Sequence, residues 1–461
     1  MQRLLAIAWL TWKAAFRFRL FLVLAALLLA SVVGLPLVIQ DDGTARGFAQ
    51  IFLTYTLSVI TALLGLSTLW LACGTLARDI EECQMQVVAT KPVARWQIWL
   101  GKWLGIMSLN AALLALSGAG VCGLLQWRAS KLPEAEQKVL REQILVARGS
   151  VKPANDPAAI EAETEQILQD RLKNNTVDKG DVPQLRKQIR ELVKADLQLV
   201  PPDYSRSWQI NLGLAKNFLR GRPLQLRVKF NSAQKSPSGT FTAFWQVGVP
   251  EKTQYWRSEA MSLAPDTFHE FQIPPDLFDR EGVLTVAFVN LNNTSLLFPI
   301  EDGVEVLYPQ GGFTLNFVRG LGIIFCWMAL LATVGLAAAS FLTFPVAAFF
   351  SLAVVVMMLS SGTLAEAVEA GTIVGGNGET GVMGHSPLDV VLVPMFKGFL
   401  IIIQLVQNFS PVDALSSGRS ISWTELGRAF GQIVLLLGGV IGITGILLFN
   451  RRELATAQGN Q

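Results

Sequence analysis

Cysteine is scarce in this chain of 461 residues, and its four copies, Cys73, Cys83, Cys122 and Cys326, lie in apolar runs or in one charged loop. None is placed to staple an exported domain, so free thiols are expected. Histidine is rarer still: His269 and His385 stand far apart, and no Cys or His pair has ligand spacing, so no metal is expected. Charged residues make up only 16% of the chain, with a net charge of +3 and no basic stripe, which excludes nucleic acid as a partner. No G-x-x-x-x-G-K-[ST] loop occurs, and Gly101-Lys102 lacks both the upstream glycine and the following Ser or Thr, so the chain has no means of its own to hydrolyse ATP. With no paired acids, Ser/His/Asp set or phosphate loop, no catalytic residue is assigned and the chain is not read as an enzyme.

What the sequence does hold is apolar length. It is 51% hydrophobic with a mean hydropathy of +0.42. Leu20 to Ile39, Ala49 to Leu76, Trp103 to Gln126, Phe317 to Leu342, Val346 to Leu364 and Gly431 to Phe449 are each about the ~20 residues needed to cross a bilayer. Thr343-Phe344-Pro345 makes the fourth and fifth of these a tight hairpin, with Pro345 opening the new helix where its missing N–H does no harm. Leu388 to Val406 carries Pro394 and Lys397 in its middle and is read as re-entrant or interfacial. The expected membrane part is a bundle of six transmembrane helices: 20–126 holds the first three, 313–364 the fourth and fifth, 365–429 an external loop with the re-entrant segment, and 430–461 the sixth and a tail.

Basic residues orient the bundle. Arg3, Lys13, Arg17 and Arg19, then Arg78, Lys91, Arg95 and Lys102, then Arg451 and Arg452, belong in the cytoplasm, which puts both termini there. Residues 363–387 hold Glu366, Glu369 and Glu379 with no Lys or Arg and fit the outer side. Residues 1–19 mix Trp9, Trp12 and Phe16 with those basic residues, as an interfacial elbow helix does, and the first span reads as a signal anchor rather than a cleaved peptide.

Residues 127–312 form an inserted extracytoplasmic domain. Residues 131–200 read as helical in three charged segments, 134–146, 157–172 and 183–199, a stalk or hairpin with thin apolar stripes at Ile160, Ile167, Leu168, Leu185, Ile189 and Leu192. From Pro223 the period becomes two: Leu224, Leu226, Val228 and Phe230 alternate with polar neighbours, and short strands recur to residue 310. A β-sandwich, with the jelly roll as one form, fits residues 223–310. Trp245, Tyr255 and Trp256 could build an aromatic ligand platform, against the alternative that they fill a core. Asn174 and Asn292 stand in glycosylation sequons. Arg319, near one end of the fourth span, is expected to snorkel to headgroups, and Gly438-x-x-x-Gly442 to be a close-approach face.

The loop at 77–102 joins two spans with an acidic cluster, a proline break and tryptophans. Read from its residues, 78–90 forms a helix that Pro92 stops before Trp96 and Trp99 anchor the next span, a knob able to seat in another protein's groove. Its run Arg78-Asp79-Ile80-Glu81-Glu82, then Lys91-Pro92-Val93-Ala94-Arg95, then Gly101-Lys102, resembles the first cytoplasmic loop of type-2 ABC transporter permeases, whose usual pattern is Arg-Glu-x-Glu, Pro-Val-Ser-Arg and Gly-Lys. Cys83 replaces a common Gly, and Ala94 the usual Ser. Leu448 to Leu454 resembles the family's last span and basic tail, while 127–312 has no counterpart in the resemblance.

The resemblance implies a permease subunit in the cell (inner) membrane that binds no cofactor itself. ATP and Mg would sit on a separate cytoplasmic ATPase, and a second permease, identical or paralogous, would complete an export system. Arg78, Asp79, Glu81, Glu82, Lys91, Pro92, Arg95 and Lys102 would couple to the ATPase. Thr54, Thr56, Ser58, Thr61, Ser67 and Thr68 crowd the second span and would line a translocation path or serve helix packing. The alternative is a membrane-anchored binding or mechanotransmission protein that moves its outer domain without transporting a substrate. No buried carboxylate offers a proton relay, which disfavours an ion-driven transporter.

Overall fold

A computed structural model of the chain describes residues 2–17, 20–38, 45–82, 93–131, 133, 134, 137, 140, 145–154, 157–173, 182–232, 234, 236, 238–250, 252–372 and 388–452. Two compact units emerge: residues 1–147 with 311–461, and the inserted residues 148–310. The first is helical: α1 (Gln2–Arg17), α2 (Leu20–Val38), α3 (Ala45–Glu81) and α4 (Arg95–Ala129) precede the insertion. The insertion holds α5 (Pro157–Lys173), α6 (Val182–Gln198) and the single turn α7 (Lys216–Leu219). The helical unit then resumes with α8 (Phe313–Ala339), α9 (Phe344–Leu359), α10 (Ser361–Ala370), α11 (Asp389–Gln407), α12 (Pro411–Ser416), α13 (Trp423–Ala429), a π-helical stretch (Phe430–Gly438) and α14 (Gly439–Arg451).

Among the described residues, five helical stretches are long and apolar enough to cross a membrane: Gly47–Glu81, Arg95–Ala129, Phe313–Ala339, Asp389–Ser416 and Trp423–Arg451. Two shorter apolar helices, Leu22–Leu35 and Phe344–Leu359, accompany them. The chain is thus a multi-pass membrane protein with a separate β unit, and where six crossings are expected the described residues show five long apolar helices and two short ones. The segment expected to be re-entrant is a continuous helix that keeps Pro394 inside it. Trp96 and Trp127, both exposed on α4, lie ~46 Å apart along the helix at 1.5 Å per residue, close to the ~40–45 Å thickness of a bilayer with its headgroups.

α8 is the centre of the bundle, apolar on all sides as a core helix must be, with Phe317, Ile323, Ile324, Ala332, Leu336 and Ala339 at or below 1% exposure. Glycines let neighbours approach it. A Cβ on Gly335 would lie 2.7 Å from that of Ala72 on α3, and one on Gly445 of α14 would lie 2.9 Å from that of Ala337. Gly442 meets Thr333 and Trp99, in keeping with the close-approach face expected at 438–442.

α1 packs along α4 by the same means. Cβ atoms on Gly101 and Gly105 would lie 2.7 Å from those of Ile7 and Thr11, and Trp12 Nε1 donates to Ser108 Oγ at 2.6 Å. Gly105→Leu is therefore expected to lift α1 from α4, at about 1–3 kcal/mol for overpacking. A cysteine placed at Thr11, now 6% exposed, should label much faster in that background than in one with Gly105 intact.

The inserted unit is a two-sheet sandwich. Strands β1 (Val146–Val151), β12 (Val304–Gly312), β4 (Leu224–Val228) and β9 (His269–Ile273) form one sheet in that order. Strands β3 (Ser205–Asn211), β10 (Val283–Asn290), β6 (Phe241–Val247) and β7 (Trp256–Arg257) form the other, with β8 (Met261–Leu263) also on β6. A third small sheet joins β2 (Leu199–Val200), β11 (Leu296–Leu297) and β5 (Asn231–Ser232). Pairing is antiparallel, with Val228 opposite both Val304 and His269, and Val286 opposite both Trp208 and Val247. Leu224, Leu226 and Val228 alternate inward as the period of two demands. The period of two is legible only from Pro223 onward, so β1, β2 and β3 are additions, and Val146, expected to end a helix, begins a strand. Residues 127–147, expected in the outer domain, group with the helical unit.

Of the two readings of Trp245, Tyr255 and Trp256, filling a core holds for Trp245 and Trp256, while Tyr255 is exposed. Trp245 is fully buried and packs 5.0 Å from Phe288, 5.8 Å from Phe298 and 5.9 Å from Phe271, while half-buried Trp256 leans on Phe271. These rings fill the sandwich because its two sheets leave a gap that only large side chains close. Of the two sequon asparagines, Asn292 donates from Nδ2 to Thr242 O at 2.8 Å and to Asn290 Oδ1 at 3.0 Å; Asn174 lies outside the described residues. Burial lowers the pKa of Arg206, with Asp196 acting the other way. α5 and α6 pair along Leu168, Ile189 and Val193, with Arg186 bound to Glu161 at 2.5 Å across the seam, a hairpin as expected.

The outward face of the first sheet carries charge. Arg148 donates to Glu270 at 2.7 Å and to Gln225 at 2.7 Å, Arg227 pairs with Glu305 at 3.0 Å, and Ser150 donates to Glu305 at 2.7 Å. Arg227 also lies 3.8 Å from the Phe268 ring centroid. All four ionic side chains are at most 9% exposed.

Candidate functional site

Five helix ends meet where residues 83–92 join α3 to α4. At the start of α4 the backbone of Ala94 sets the first turn, Gln97 N–H donating to its carbonyl at 2.9 Å while Ala94 N–H donates to Gln97 Oε1 at 3.3 Å. Arg95 then points at the end of α14, and its Nη1 donates to the carbonyls of Phe449 (2.9 Å), Asn450 (2.8 Å) and Arg452 (2.8 Å). Helix C-termini present orphan carbonyls and partial negative charge, and a guanidinium satisfies both. Arg452 repeats the device one helix further on, its Nη1 donating to Ala339, Ser340 and Leu342 at 3.2–3.4 Å, at the end of α8.

The acidic residues close the circuit. α9 begins at Phe344, whose N–H is an orphan donor, and Glu81 Oε1 at the end of α3 accepts it at 2.8 Å. Arg78, one turn earlier, lies 4.4 Å from the Phe344 ring centroid, and Trp70 meets that ring edge-on at 5.1 Å. Lys102, 8% exposed, donates from Nζ to Asp79 Oδ2 at 2.5 Å and to Thr75 O at 2.6 Å, tying α4 back to α3. The contacts run α3 to α4 to α14 to α8, through the 340–343 turn to α9, and back to α3. A ring of charged caps thus joins the ends of α3, α4, α14, α8 and α9.

This placement revises the expected coupling helix. Arg78, Asp79 and Glu81 are the last turn of α3 itself rather than the start of a separate helix at 78–90, because the α3 ladder runs unbroken to Glu81. Of the coupling residues, Arg78, Asp79, Glu81, Glu82, Arg95 and Lys102 have partners inside the chain, Glu82 standing exposed at the end of α3, and Lys91 and Pro92 lie outside the described residues with Cys83. Arg452 and Phe344 were not foreseen as site residues. The run of Arg451-Arg452 at a helix end was the available signal.

The hydroxyls of α3 do not make one polar lining. Thr56 and Ser67 donate back to Phe52 O (2.5 Å) and Leu64 O (3.0 Å) of their own helix. Ser58 is exposed, Thr54 half-buried, and Thr61 Oγ1 has no partner among the described residues. Thr68 alone reaches another helix, donating to Asn110 Oδ1 of α4 at 3.0 Å and lying 3.8 Å from Met328 Sδ of α8. Arg319 also departs from expectation. It turns inward, 9% exposed, donating to Leu315 O at 3.3 Å and to Ile421 O, with Trp423 5.4 Å away. Cys73, Cys122 and Cys326 are free thiols as expected, Cys83 lying outside the described residues, and no metal-ligating cluster occurs among the described residues.

Comparison with protein-family models, with curated proteins and with solved structures finds no match.

Proposed function

We propose that this chain is the membrane subunit of a type-2 ABC transporter, a permease that receives force from a separate ATPase at residues 83–92 and carries it into the bundle. The ring of caps is the observation that supports it most. A loop that served only topology would need Lys and Arg, but not an Asp–Lys pair, a Glu cap and two Arg caps joining five helix ends. On this reading the loop and both termini are cytoplasmic, residues 148–310 are extracytoplasmic, six crossings place them so, and α11 is the re-entrant element. ATP and Mg belong to the partner ATPase, a second permease completes the assembly, and export is the direction that the sequence resemblance favours.

A second reading keeps the ATPase and drops the transported substrate. It is favoured by α3, where Thr56 and Ser67 bond back to their own helix and Thr68 bonds Asn110. The bundle would then transmit motion to the sandwich unit.

The test must spare the ring, because charge reversal at Glu81 would also uncap α9. Lys91→Glu with Pro92→Ala lies within the loop. Purified from its native membrane, the wild-type chain should carry a nucleotide-hydrolysing subunit that the double variant loses by about tenfold or more, as for an interface missing ~1.4 kcal/mol or more. An equal yield of that subunit with both chains rejects the coupling role. Cysteines at Met85 and Pro250 should label from opposite faces of sealed vesicles, and labelling from one face rejects the topology.

A further inference from the structure

The last long helix changes its winding in the middle. α13 passes into nine consecutive π-helical residues, Phe430–Gly438, before α14 resumes α geometry. A π turn bonds each N–H to the carbonyl five residues back, and such turns ordinarily occur singly and at functional positions. A Cβ on Gly438 would stand 3.3 Å from the Ile433 carbonyl oxygen, a proximity that this winding creates.

Both ends of this helix are gripped. At its start, Ser422 Oγ accepts Glu425 N–H at 3.0 Å, Asn316 of α8 donates to Arg419 O and accepts Ile421 N–H, each at 2.7 Å, and Arg319 holds Ile421 O. At its end stand Arg95 and Arg452. α14 is keyed in addition by Gly442 and Gly445 against Trp99, Thr333 and Ala337. Between these grips only Ile433 and Gly438 of the π stretch are buried, while Phe430, Leu435 and Leu436 are 48%, 63% and 52% exposed.

We infer that Phe430–Gly438 is a register hinge, the one part of this helix that rewinds between π and α when the grips at 419–423 and 449–452 turn or separate. The physical reason is a ranking of costs. Moving α14 would break glycine-mediated contact along α8, and moving α13 would break its capping box, whereas rewinding the π stretch exchanges one backbone ladder for another, with Ile433 its one large fully buried side chain and Phe430, Leu435 and Leu436 already facing outward. The hinge itself stands on the winding and the grips. Its use by an ATPase, through Arg95, rests on the function proposed above.

Amide hydrogen exchange on the full chain in lipid nanodiscs tests it. Amides of 434–438 are expected to exchange about tenfold or more faster than those of 442–449, as in a segment that opens locally. Deleting Leu436 removes a surplus residue of the π winding and should bring 434–438 to the protection of 442–449. Equal protection across 430–449 in the wild-type chain overturns the hinge, as does a folded deletion variant that keeps the fast segment. If the deletion prevents folding, the wild-type gradient alone decides. None of these results depends on whether an ATPase co-purifies.

Discussion

Glu305→Ala is expected to produce the largest loss of stability in the inserted unit. Glu305 is fully buried, ion-paired with Arg227 at 3.0 Å and accepting from Ser150 at 2.7 Å, so alanine takes one carboxylate from the Arg227 guanidinium, which keeps Glu270 at 3.7 Å. Removing one partner of a buried ion pair costs about 3–5 kcal/mol, and for a unit of this size that lowers the melting midpoint by roughly 6–20 °C. Fluorescence of Trp245, buried in the same sandwich, follows the transition. The paired replacement Arg227→Met with Glu305→Leu should recover most of the loss, because two apolar side chains need no counter-charge. A single variant that melts with the wild type would show that Glu305 contributes no net stabilisation.

Arg95→Ala is expected to have the largest effect on the helical unit. One guanidinium nitrogen serves three carbonyls at the end of α14, and hydrogen bonds to a charged group are worth about 1.5–3 kcal/mol each. They share one donor group and water replaces part of them, so a local loss of about 2–3 kcal/mol follows, and exchange at 449–452 should rise roughly 30- to 150-fold. Arg95→Lys keeps the topogenic charge and three donors but not the planar fork, and should fall between the two. If the ring transmits force, Arg95→Ala will also retain its ATPase partner while losing stimulation of ATP hydrolysis by the assembled complex. Unchanged exchange at 449–452 would show that the cap does not hold α14.

The two variants touch different units and different forms of the same problem. In the sandwich, charge is buried between strands and must be paired. In the bundle, charge terminates helices whose last carbonyls have no partner within their own helix. Neither arrangement is visible as a motif, since Arg227, Glu270 and Glu305 lie on separate strands, and Arg95 and Arg452 are 357 residues apart.

Local signals were enough for much of the architecture. Uninterrupted apolar length gave α3, α4 and α8, Thr343-Phe344-Pro345 gave the α8–α9 turn, and the period of two at Leu224–Val228 gave the start of the sandwich. β9 and β10 fall where alternation placed them, at His269–Ile273 and Val283–Asn290. Those features depend on residues close together in the chain, where period, length and proline act without knowledge of the fold. Tertiary structure decided the rest. It chose the core for Trp245 over the ligand platform, turned Arg319 from the headgroups onto Ile421, and joined Asp79, Glu81, Arg95 and Lys102 in a ring of caps. A side chain's polarity is set by its own atoms, but its partner is set by which helix end or sheet face arrives beside it, and that is a property of the packed molecule alone.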